Sequence, residues 1–167
     1  MGFDGCKKTH GVWLCLLLLL VVGLSGCTAG QREEDMAQFF QKHRSELSRL
    51  QAQFEQLRKH SPIQGIHREE ESVYLVGAKR ISLAQAKAQF PEVEEGIGRV
   101  QKIEEKLDLR TAYLQDDGSF WVILNEADLL GSDYGLLRQG KGPVTAYGTL
   151  NQIRPVKGAK GWYAIRF

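Results

Sequence analysis

The chain has 167 residues, 43% of them hydrophobic and 25% charged, with a formal net charge of +2. That balance excludes a disordered or collagen-like polymer and a strongly basic nucleic-acid binder, and the length suits one domain plus an appendage. Three cysteines, an odd number, do not make a simple disulfide framework.

An apolar run of 13 residues, Val12 to Leu24, opens the chain behind Lys7 and Lys8 and ends in Ser25 and Gly26. A helix that spans a bilayer needs about 20 apolar residues, so this run is too short to cross and stay. A positive start, a short apolar middle and a small-residue end are the parts of a secretory signal peptide. The four residues Leu24-Ser25-Gly26-Cys27 resemble the lipobox of bacterial lipoproteins. The resemblance covers residues 1–27 only. It implies removal of residues 1–26, a diacylglycerol on the Cys27 thiol, and a further acyl chain such as palmitate on the new amino group. Several chains together make a lasting membrane anchor, whereas one holds only marginally. Thr28 stands where an aspartate would signal inner-membrane retention, so the resemblance leans to the outer membrane, facing the periplasm. Cys6 and Cys15 leave with the leader, and the mature chain then carries no free thiol and no disulfide.

The lipidated Cys27 and the polar tether to Arg32 lead into a helix over residues 33–60. Glu33, Glu34 and Asp35 stand in its first turn and Arg58, Lys59 and His60 in its last, matching the helix dipole. Ser61-Pro62 stops it. Its seam is Met36, Phe40, His43, Leu47, Leu50, Phe54 and Leu57, with alternating steps of four and three. That is the coiled-coil period, and it predicts either a seam for self-association or an amphipathic helix lying on its own domain. Both readings stand on the sequence alone.

Residues 61–72 are expected to form a polar hinge, and residues 73–167 an α+β domain. Val73–Val76 reads as a buried strand, Ser82 as the cap of a helix to about Lys87, and Arg99–Leu107 as a second helix. Leu109–Gln115 and Ser119–Asn125 flank Asp116-Asp117-Gly118, a strong hairpin turn. Ala127–Arg138 has a helical pattern weakened by Gly131 and Gly135. Val144–Ile153 and Trp162–Phe167 make a second hairpin. The expected fold is a mostly antiparallel sheet of about five strands with two or three helices. Its last five elements follow the order of an OB-fold apart from the helices after the first strand, a topological likeness without a motif. Thr111-Ala112-Tyr113 and Thr145-Ala146-Tyr147 each open a hairpin, but three matching residues do not establish a duplication.

Residues 73–167 contain no histidine and no cysteine, which removes zinc sites and Cys/His or Ser/His catalysis from that stretch. Asp116 and Asp117 are explained by their turn, and Glu126, Asp128 and Asp133 flank a weak helix rather than form a defined acid pair. No cofactor, metal site or catalytic residue is expected. One asymmetry is left. After Asp133 the chain holds Arg138, Lys141, Arg154, Lys157, Lys160 and Arg166 and no acid. Arg154, Lys157, Lys160 and Trp162 fall in one loop, and cations beside an aromatic suit an anionic envelope component or an acidic protein. Nucleic acid is not expected outside the cytoplasm. The sequence points to a lipid-anchored envelope protein acting as a binding or assembly module. An oligomerising structural lipoprotein and an unrecognised envelope hydrolase are the alternatives.

Overall fold

A computed structural model of the chain describes residues 9–127, 133–142 and 152–166. The chain divides into two units, Met1–Asp35 and Met36–Phe167. Helix α1 (Thr9–His60) supplies the described part of the first and enters the second. Among the described residues no helix is long and apolar enough to cross a membrane.

After α1 come β1 (Ile63–His67), β2 (Ser72–Leu75), β3 (Lys79–Ser82), α2 (Leu83–Gln89), a 3-10 turn (Pro91–Val93) and α3 (Glu94–Lys106). The chain then runs through β4 (Leu109–Leu114), β5 (Phe120–Ala127), β6 (Asp133–Arg138), β7 (Gln152–Pro155) and β8 (Trp162–Arg166). All eight strands form one antiparallel sheet in the order β3-β2-β1-β4-β5-β6-β8-β7. The fold is α+β.

Strand register decides which residues face the helices. One row crosses the sheet as Ile81, Val73, Ile66, Ala112, Val122, Leu136, Ala164 and Arg154. Its first six members are buried in the cluster that holds the α1 seam residues other than His43, with Ile97 and Val100 of α3. The opposite row is Arg80, Tyr74, Gly65, Tyr113, Trp121, Leu137, Tyr163 and Pro155. Gly65 is required there. A Cβ on it would overlap the Tyr113 ring that crosses β1, and would lie 2.9 Å from the Ala112 carbonyl oxygen.

Several expectations hold. Ser82 caps α2 through a reciprocal pair with Gln85, at 3.1 Å to the Gln85 amide and 3.0 Å back to the Ser82 amide. Asp116-Asp117-Gly118 turns β4 into β5, with Gly118 at φ 83°. The two acids are engaged there: Asp116 pairs with Arg58, and Asp117 accepts from the Ser119 amide and hydroxyl.

Other expectations are corrected. Among the described residues the sheet has eight strands rather than about five. Residues 61–72 are not a hinge, because they contain β1, a strand between β2 and β4 at the middle of the sheet. The domain therefore does not begin at residue 73. Asp133–Arg138 is strand β6 and not part of a helix. Gly135, Leu136 and Leu137 are all buried, so the strand is covered on both faces and lacks the alternation that marks a half-exposed one. Among the described strands the sheet is open, with β3 and β7 at its edges, and the OB-like order does not close into a barrel. Residues 128–132 of the expected helix, 144–151 of the expected strand and the Thr145-Ala146-Tyr147 triplet lie outside the described residues.

Candidate functional site

The seam of α1 is occupied by the chain's own sheet. Leu47, Leu50 and Phe54 are fully buried, Phe40, Leu57 and Met36 nearly so, and all six belong to the main core. Phe40 packs at a tilt against Trp162 of β8 with ring centroids 5.0 Å apart, and Phe54 meets Phe120 of β5 at 6.2 Å. His43 is half-buried and is the one seam position where α1 leaves helical geometry, at φ −115° and ψ 16°. Its ring lies 4.8 Å from that of Phe39. A seam buried in this way offers a second copy nothing, so a soluble chain from Thr28 should sediment as a monomer. A concentration-dependent dimer in sedimentation velocity would contradict that.

Trp162 is also part of this core, at 8% exposure, and so does not belong to an anion-binding surface. The reason is its place on the helix face of β8, paired with Arg138 and under Phe40. The basic side chains around it behave differently. Val156 through Trp162 folds as two successive turns. The Ala159 amide donates to the Val156 carbonyl and the Trp162 amide to the Ala159 carbonyl, each at 3.1 Å. Gly158 and Gly161 take positive φ values of 77° and 79°. Each turn thus has lysine at its second position and glycine at its third, the arrangement that a positive φ at the third position demands.

This tandem arrangement sorts the side chains. Val156 and Trp162 point into the core and Ala159 packs against it, while Lys157 and Lys160 stand out at the corners, exposed. Among the described residues neither lysine forms an ion pair. Arg154, on β7, is exposed too. A Cβ on Gly158 would lie 3.4 Å from Gln41 Nε2, so the turns abut α1 near the start of the second unit. Lys42, the next residue of α1, is exposed. Cys27 lies on the α1 backbone in the first unit.

Elsewhere several polar side chains are engaged with one another. A shallow pocket of about 220 Å³ lies between α1 and α3, lined by Gln53, His60, Glu92, Glu95 and Arg99 among others. Arg99 there donates to Gln53 at 2.9 Å and pairs with Glu95. On the other face of the sheet Arg110 grips Asp133 through two hydrogen bonds. That leaves Asp133 engaged rather than presented to a substrate. His67 has its pKa lowered by burial and then by the charges of Arg110 and Arg80, which disfavours a protonated imidazole. Among the described residues no three histidine, cysteine or acidic side chains gather into a metal site. No protein-family model, curated protein or solved structure matches the chain.

The lysine-glycine repeat was readable in the sequence as KGAKG, residues 157–161. Its three-residue spacing separates inward anchors from outward cations, which a reading of the stretch as one undivided loop misses.

Proposed function

We propose that the chain is a lipid-anchored cell-envelope protein, held through Cys27, that acts as a non-catalytic binding or assembly module. The basic edge made by Lys157, Lys160 and Arg154 engages an anionic envelope component. The observation that carries this reading is the tandem turn, which fixes two lysines outward beside Gln41. Eight residues lie between Cys27 and Met36, where the second unit begins. Fully extended, they reach at most about 30 Å. A lipid on Cys27 would thus tether the second unit to the membrane by a short stretch of chain. The burial of the seam in the chain's own core weighs against the oligomerising alternative. The engagement of Asp116, Asp117 and Asp133 weighs against the hydrolase.

Two experiments test the two halves of the proposal. With Cys27→Ser, the precursor should stay uncleaved and incorporate no labelled fatty acid; normal processing and membrane retention would sink the anchor. For the basic edge, the chain from Thr28, which lacks the lipid, should pellet with vesicles of anionic lipid at low salt. Binding should fade as salt nears about 0.5 M, where the screening length falls to a few Å. Lys157→Glu with Lys160→Glu should abolish pelleting and leave the melting temperature almost unmoved, since exposed charges contribute roughly 0–1 kcal/mol to folding. Equal pelleting of the two proteins, or none by either, would remove the basic edge from the proposal.

A further inference from the structure

Helix α3 carries an acid where its spacing calls for an apolar residue. Ile97, Val100 and Glu104 follow one another at steps of three and four on its buried face, and Glu104 is fully buried. Neither of its carboxyl oxygens has a hydrogen-bond partner.

We infer that Glu104 is a proton-dependent fastening of α3 onto the sheet: with a proton on its carboxyl the second unit is tight, and without it α3 loosens. The surroundings offer an ionised carboxylate little. The charged group that faces it from the β1–β2 turn is Arg68, whose guanidinium hydrogen-bonds Asp108 at 2.8 Å. From β4 it meets the Ala112 backbone amide, which completes no hydrogen bond to it. Arg110 of the same strand is bound to Asp133. On α1, Glu46 is paired at 2.8 Å with Lys106 of α3, and that bond holds its pKa down at about 2. Nothing in this set replaces the water that an ionised Glu104 would lose.

Burial pushes the Glu104 carboxyl well above its ordinary value of 4.5, and Arg68 and the Ala112 amide offset only part of that. The folded chain then keeps a proton that the unfolded chain has already released. Over the window from 4.5 up to the raised value the folded state binds more protons, so stability falls as pH rises. Below 4.5 both states are protonated and the contribution is fully present. At the envelope, ambient pH would set this equilibrium. That last point rests on the proposed location; the fastening itself does not.

The test is thermal melting of the full-length protein in non-ionic detergent, wild type against Glu104→Gln, at pH 4.5 and pH 8. Glutamine keeps the shape and removes the charge. The variant and wild type should melt close together at pH 4.5, and the variant should gain at least about 5 °C on wild type by pH 8. Amide exchange in α3 should likewise be faster in wild type than in the variant at pH 8 only. Should the glutamine variant fail to fold, Glu104→Met, of similar volume and without polar atoms, should show the same widening. A difference that does not change with pH overturns the inference. Lower melting of both variants at every pH does so too, since the carboxylate would then have native partners. Neither outcome depends on lipidation or vesicle binding.

Discussion

A chain that begins at Pro62 should not fold. It keeps all eight strands but loses the six buried seam residues Met36, Phe40, Leu47, Leu50, Phe54 and Leu57. Burying a side chain of this size contributes about 1.5–3 kcal/mol, so the six contribute roughly 9–18 kcal/mol. Discounting by about 40% for a compact unfolded state leaves roughly 5–11 kcal/mol. Domains of this size are net stable by only about 5–15 kcal/mol. Removing α1 therefore removes about as much as there is. The truncated chain should give no near-ultraviolet circular dichroism and no cooperative melt. Leu50→Asp in the full chain tests the same point at one residue. Leu50 is fully buried, and an unpaired carboxylate there should destabilise by about 4 kcal/mol or more. A Pro62 chain that melts cooperatively would mean that the sheet does not need the helix.

The alternative readings of α1 separate here on physical grounds. A four-three repeat specifies that one face is apolar and says nothing of what covers it. The identity of the cover depends on the sheet, and the sheet was only half legible. Val73–Leu75, Leu109–Leu114 and Phe120–Leu124 were readable because they are apolar and bounded by turns. Ile63–His67 was not, because Gln64, Gly65 and His67 make it look polar. Gly65 is there to admit the Tyr113 ring, a requirement set by a strand far along the chain. Among the described strands Lys79–Ser82 pairs only with β2, and it shows one buried apolar side chain, Ile81, so no pattern marks it. The repeat alone leaves a coiled coil and a helix lying on its own domain equally open.

The basic edge was legible in composition and not in detail. The absence of acids after Asp133 is a property of the sequence. Which basic and aromatic side chains stay outside is a property of the two turns, where glycine at each third position sends lysine out and brings Trp162 in. Trp162 beside cations looks like a binding aromatic on paper. The Phe40 ring 5.0 Å away makes it part of the core. Glu104 was invisible for the opposite reason: an acid in an acidic stretch, Glu104-Glu105, reads as solvated surface until α3 is docked.

Two glycines make the last prediction, because added methyl groups should act in opposite directions. Gly135 lies on β6 opposite Ile123 of β5, and a Cβ there would overlap the Val122 carbonyl oxygen. The obstacle is backbone in the middle of the sheet, with Leu136 and Leu137 buried on either side. It cannot rotate away as a side chain would, so β5 and β6 must move apart. Gly135→Ala should then destabilise by about 3 kcal/mol, the upper end of ordinary overpacking. Gly98 sits on α3 with nothing within 4 Å of its added Cβ. The methyl is free of cost there, and replacing a helical glycine gains up to about 1 kcal/mol. Denaturant melts of the two variants should therefore move in opposite directions, Gly135→Ala to lower midpoint and Gly98→Ala to higher, with slopes unchanged. A neutral Gly135→Ala would mean that β6 does not lie against β5 in this register, and the face assignments of Leu136 and Leu137 would fall with it.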